Sequence, residues 1–79
     1  MPKQVKPKEL IKVLNKLGFE QVRVRGSHFR FAHLNGRNTS VPVHGSESIG
    51  PGVLNSIIKK DLKMKKKDFF KLLEELIKL

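Results

Sequence analysis

The chain has 79 residues, no cysteine, and 17 Lys+Arg against 7 Asp+Glu, a formal charge of +10 with a sequence pI of 10.3. That length allows one domain at most, and the missing cysteines exclude a disulfide framework and cysteine-based zinc sites. No apolar run approaches the ~20 residues of a membrane-spanning helix, the N-terminus leads into no apolar signal-peptide core, and the charge asks for a polyanionic partner, nucleic acid first.

Pro7, Lys8 and Glu9 read as a helix start, with proline at the first helical position and an acid in the first turn. Leu10, Ile11, Leu14 and Leu17 recur at three- and four-residue steps, which predicts an amphipathic helix over 7–17. Gly18 closes it as a left-handed cap. Residues 19–25 then alternate, with Val22 and Val24 on one face and Gln21, Arg23 and Arg25 on the other. Gly26-Ser27 is a tight turn. A second strand over 28–34 has Phe29 and Phe31 on one face and His28, Arg30 and Ala32 on the other. Asn35-Gly36 is the signature of a two-residue type I′ hairpin turn. The third strand covers 37–44, with Val41 and Val43 sharing a face, and Pro42 places it at a sheet edge or else uses the strand's solvent side.

Gly45 to Gly50 is a polar loop. Pro51-Gly52 opens a second helix carrying Val53, Leu54, Ile57, Ile58 and Leu62. A lysine-rich connector, residues 63–67, precedes a last helix over 68–79, with Phe69, Leu72, Leu73, Leu76 and Leu79 as its apolar stripe. That helix is either part of the core or a docking element. The expected architecture is α+β: a two-layer sandwich of helix, three-stranded antiparallel meander and helix, plus an extra C-terminal helix. One domain spans 1–79, with its core over 7–70. Val22, Val24, Phe29, Phe31, Val41 and Val43 are expected under the helices. The opposite sheet face is expected to be open and basic.

Charge is concentrated on that expected open face. Nine Lys/Arg and two acids fall in residues 1–45, against eight and five in 46–79, and all four arginines lie between Arg23 and Arg37. Arginine offers phosphate a planar fork and can stack on bases. His28 shares a face with Arg30, with Arg23 and Arg25 across the hairpin. An imidazole among cations can move a proton while its neighbours hold a phosphodiester. The nucleophile would be a ribose 2′-hydroxyl, which only RNA has. A solvated surface histidine is the plainer reading of the same residue. His33, five positions on, points the other way and reads as a core-edge or loop residue. His44 could reach the same open region as an auxiliary group, or cap the helix that begins near Gly52. Ser27 is either a phosphate contact or a turn residue, and Lys8 and Lys12 could add phosphate contacts. No carboxylate pair stands beside any histidine at ligand spacing and the acids are few and scattered, which disfavours a metal mechanism. No Walker A loop or dinucleotide fingerprint occurs, so no cofactor is expected.

Gly18-Phe19, Gly26-Ser27-His28, Val41-Pro42-Val43-His44, Pro51-Gly52-Val53-Leu54 and Ile57-Ile58, in that order, resemble the HicA (YcfA-like) mRNA interferase toxins of bacteria and archaea. The resemblance runs from about Pro7 to Phe70. It implies a fold like the double-stranded-RNA-binding domain and the toxin role in a type II toxin–antitoxin system. It further implies ribosome-independent endoribonuclease activity on messenger RNA and neutralisation by a cognate HicB antitoxin, which with the residue reading makes the expected activity metal-independent and cytoplasmic. The family's single catalytic histidine lies in the Gly-Ser-His motif, which matches His28. Many members carry another polar residue after that motif, where this chain has Phe29. The resemblance leaves Arg23, Arg25, Ser27 and Arg30, with Lys8 and Lys12, as expected RNA contacts. A non-catalytic double-stranded-RNA-binding module is the alternative, using the same face without needing His28.

Overall fold

Pro7 occupies the first position of helix α1 (Pro7–Leu17), where its missing N–H costs nothing. The Glu9 carboxylate accepts a bond from the Lys6 N–H at 3.0 Å, which satisfies one donor at the helix start. At the other end Gly18 adopts φ 99°, so the Phe19 and Gly18 amides fold back on the Leu14 and Asn15 carbonyls at 2.9 and 3.1 Å. Leu10, Val13 and Leu14 are buried along the inner stripe. Each such side chain contributes about 1.5–3 kcal/mol through removal from water. In this computed structural model, which describes residues 4–77, the helix matches the bounds its periodicity predicts.

The sheet follows as strands β1 (Glu20–Arg25), β2 (His28–Ala32) and β3 (Asn38–Pro42), antiparallel in the order β1-β2-β3. Pro42 therefore sits on an edge strand, as its missing N–H requires. The β1–β2 turn has positive φ at Gly26 alone, the sign pattern of a type II′ turn. The β2–β3 connection differs from the expected two-residue turn. The His33 amide bonds to the Arg37 carbonyl at 2.8 Å and the Gly36 amide to the His33 carbonyl at 3.0 Å. Only Gly36 has positive φ. This is a three-residue loop, Leu34-Asn35-Gly36, with glycine in the left-handed position. A type I′ turn would need positive φ at Asn35 too, and that residue is instead committed to an amide bond onto the His33 ring.

Helix α2 (Pro51–Ser56) runs directly into a π-helical turn, Ile57–Asp61, closed by the Leu62 amide on the Ile57 carbonyl at 2.8 Å. Helix α3 (Lys66–Ile77) follows. Its start lies two residues earlier than the sequence suggests, and Leu79 of the expected stripe lies outside the described residues. Phe69 and Leu73 are fully buried, and α3 packs mainly on α1. The last helix is thus a core element.

The second layer is uneven. Helix α1 and the π turn lie against β3. Phe31 and Val41 are buried beneath them, with Phe29 and Val43 half-buried against the same cluster. Val22 and Val24 are not covered, contrary to expectation: they are 62% and 49% exposed. Two causes act. Strand β1 lies at the edge remote from the helices, and all six of its residues are exposed. In addition, the pairing jumps from Gln21↔Phe31 to Arg23↔Arg30, so Val22 is the extra residue of a β-bulge. A bulge sets two residues opposite one and breaks the strict alternation on which the sequence reading relied.

Candidate nucleic-acid interface around His28

The open sheet face carries two cross-strand rows. Arg25, His28 and Pro42 are register partners in one, and Arg23, Arg30 and Ser40 in the next. Directly opposed residues bring their Cβ atoms to about 4.5–5.5 Å. The type II′ turn sets this register, because Gly26-Ser27 places Arg25 opposite His28. The Ser27 carbonyl accepts the Val43 amide at 2.7 Å, which ties the turn to the chain leaving β3. Together Val22, Arg23, Arg25, His28, Arg30 and Ser40 line an open concavity of about 500 Å³.

The chemistry of that concavity is one-sided. Among the described residues no carboxylate lines it. Arg23 and Arg30 stand directly opposite each other, an arrangement that costs stability until an anion is shared between them. The guanidinium forks can take phosphate oxygens in pairs, and the exposed imidazole of His28 stands one row away. The arrangement can bind a phosphodiester and exchange a proton with a hydroxyl beside it.

The fold brings Arg23, Arg25, His28 and Arg30 together and leaves other expected contacts elsewhere. Ser27 belongs to the turn at the end of the concavity. Lys8 and Lys12 are exposed on α1, in the helical layer. His44 is exposed two residues beyond β3 and does not line the concavity. Val22 and Ser40 do line it. Ser40 was legible, because it alternates with Val41. Val22 was not, because the bulge that turns it outward leaves no mark in the sequence.

The remaining arginine and histidine of this region face the other way. Arg37 donates from Nη1 to the Leu62 carbonyl at 2.7 Å, just past the π turn, and its guanidinium lies 5.2 Å from the Phe19 ring centroid. His33 accepts the Asn35 amide at Nδ1, 3.0 Å away, so its proton resides on Nε2, which donates to the Leu17 carbonyl at 3.1 Å. Its ring packs edge-on against Phe19 at 5.1 Å. Both residues brace the β2–β3 loop against the helices, and neither faces the concavity. Among the described residues no group of three or more His, Cys, Asp or Glu could hold a metal ion, and no helix is long and apolar enough to cross a membrane.

Comparison with known proteins gives two matches. A family model described as the HicA toxin of bacterial toxin–antitoxin matches residues 7–63, from the start of α1 to two residues past the π turn. A protein of Pseudomonas fluorescens (strain Pf0-1), named probable mRNA interferase HicA, is 38% identical over 55 residues, covering 70% of this chain and 90% of that protein.

Proposed function

The chain belongs to the HicA toxin family, and from that membership we propose that it is the toxin of a type II toxin–antitoxin pair, cutting messenger RNA without a metal ion and moving the proton with His28. RNA cleavage by hydrolase chemistry is the activity that goes with the family. The observation that carries the finer reading is the concavity: one exposed imidazole among three arginines, with no carboxylate among the lining residues.

In this reading Arg23, Arg25 and Arg30 hold the phosphate backbone, and the bound phosphodiester presents its ribose 2′-hydroxyl to the His28 ring. The imidazole takes the hydroxyl proton as the 2′ oxygen attacks the adjacent phosphorus in line. The bond from phosphorus to the 5′ oxygen breaks, that oxygen takes a proton from water, and the hydroxide so formed collects the proton held by His28 and restores the neutral imidazole. The products are a 2′,3′-cyclic phosphate and a 5′-hydroxyl. The guanidinium groups stabilise the negative charge that grows on the non-bridging oxygens. Ser27 and the helix lysines Lys8 and Lys12 serve, at most, to extend the backbone contacts. The neutralising partner is a HicB-like antitoxin, and an acidic protein surface over the concavity would both compete with RNA and quench the arginines. The site of action is the cytoplasm, where messenger RNA is translated.

The deciding assay incubates labelled RNA with the pure chain in EDTA, beside His28→Ala. Cleavage persists in chelator and falls by about 10²–10⁴ in the variant. A substrate with 2′-deoxyribose throughout is bound and left intact. Equal rates for both proteins, or activity lost to EDTA, overturn the mechanism. RNA bound but uncut by the parent protein makes the domain a binding module.

A further inference from the structure

We propose that the corner where α2 ends and α3 begins is a second RNA-backbone surface, separate from the catalytic concavity. The proposal rests on RNA being the substrate and extends that reading to the helical layer. Lys59, Lys60, Lys63, Lys65, Lys66 and Lys67 are all exposed there, within nine residues of chain. The one acid inside that stretch, Asp61, offsets one of the six charges, and its Oδ2 accepts the Thr39 hydroxyl at 2.8 Å, which turns it toward the sheet.

Lys59 and Lys60 lie in the last turn of their helix, where the dipole favours cations, but folding gives less reason for the other lysines. Lys66 and Lys67 occupy the first turn of α3, where the helix dipole disfavours cations. Lys63 holds φ 55° just after the π turn, a left-handed position that glycine would fill without strain. The left-handed Lys63 lets the Met64 amide close onto the Ile58 carbonyl at 3.0 Å, and Asp68 stands in the first turn of α3. Neither device needs lysine beside it, and six like charges held at one corner point to an anionic ligand. Lysines act as point charges that suit a phosphate backbone and do not read bases. An anionic membrane is a poorer fit. The apolar residues of the stretch are turned inward, Leu62 fully buried and Met64 half-buried, so nothing is left to insert.

Position makes the second surface useful. Thr39 and Ser40 are neighbours on edge strand β3. Ser40 lines the concavity, while Thr39 bonds to Asp61 in the helical layer. RNA leaving the concavity over β3 therefore has only the edge of one strand to pass before it meets the lysines. The corner would hold RNA flanking the cleaved bond and raise affinity without touching the reacting phosphate.

The test measures binding of a labelled RNA of roughly 30 nucleotides by fluorescence anisotropy across a potassium chloride series. Full-length His28→Ala serves as the uncleaving parent. Adding Lys65→Gln, Lys66→Gln and Lys67→Gln lowers the slope of log K against log salt by about 2, close to 0.7 per lysine, and weakens binding at low salt at least ~10-fold. The same three changes in the His28-bearing chain leave the single-turnover rate at saturating RNA unchanged. Their melting temperature stays level or rises, because the cations opposing the α3 dipole are gone. Lys59→Gln with Lys63→Gln, on the other side of the corner, lowers the slope by about 1.4. An unchanged slope in folded variants overturns the second surface, including the case where only antitoxin binding suffers. A saturated rate that falls with the slope makes the corner part of the catalytic site and overturns its independence. If the slopes fall as expected while His28→Ala still cleaves, the second surface stands and the His28 mechanism fails.

Discussion

The two faces of one small sheet use the same residue types for different purposes. His28 and Arg30 on β2 face the open side, exposed in a concavity with two further arginines. His33 and Arg37, a few residues along, face the helices and are held by the Leu17, Asn35 and Leu62 backbone and by the Phe19 ring. A cation or imidazole that braces the fold is held by carbonyls and rings, although the Arg37 Nε is buried with no hydrogen-bond partner among the described residues. The open-face group carries a positive potential and an Arg23–Arg30 opposition that a bound anion relieves, with the acid Glu20 one row farther along the sheet. Residue type therefore predicts little here, and the side of the sheet predicts much.

The sharpest way to break that comparison is to remove one histidine from each side. His28→Ala should lose about 3–5 kcal/mol of transition-state stabilisation, read as a cleavage rate, with a urea-unfolding midpoint within error of the parent. His33→Ala should show the reverse: about 1–3 kcal/mol less stability, from a lost ring contact and an unsatisfied Leu17 carbonyl, with cleavage per folded molecule unchanged. If His33→Ala abolishes cleavage in the folded state, the division between faces is wrong.

Arg37→Ala tests the same division among arginines. It removes a charged hydrogen bond and a stacked ring contact, and should cost about 2–3 kcal/mol in thermal unfolding while leaving the salt dependence of RNA binding unaltered. Arg23→Gln should do the opposite and on a smaller scale. Relief of the opposition to Arg30 should raise stability by about 0.2–1 kcal/mol, and the salt slope for RNA binding should fall by about 0.7. A drop in melting temperature for Arg23→Gln would mean that the open-face arginines are structural after all.

Much of this was readable along the chain, for reasons that are local. Leu10, Leu14 and Leu17 recur at the helical period, Gly18 supplies the left-handed cap, and Pro42 marks an edge, since each signal depends on residues within one turn or one strand. Arg23, Arg25, His28 and Arg30 were legible as neighbours because the Gly26-Ser27 turn sets the register of the hairpin. The Asn35-Gly36 reading failed because the His33 ring, itself held by the Leu17 carbonyl 16 residues away, captures the Asn35 amide and favours a longer loop. Val22 failed because its bulge depends on how β1 fits β2, and Val24 because the helices do not extend over β1.

What the sequence by itself determined was the menu of elements, the antiparallel hairpin with its cationic row, and the family to which the chain belongs. The tertiary structure alone decided which side of the sheet each cation serves. It sent Arg37 to the Leu62 carbonyl and Asp61 to Thr39, contacts spanning 25 and 22 residues. It also left β1 bare and gathered the lysines of two helix ends at one corner. Periodicity records which way a side chain points relative to its own backbone. Whether anything lies in that direction depends on where distant segments dock, and that is settled only when the layers close on one another.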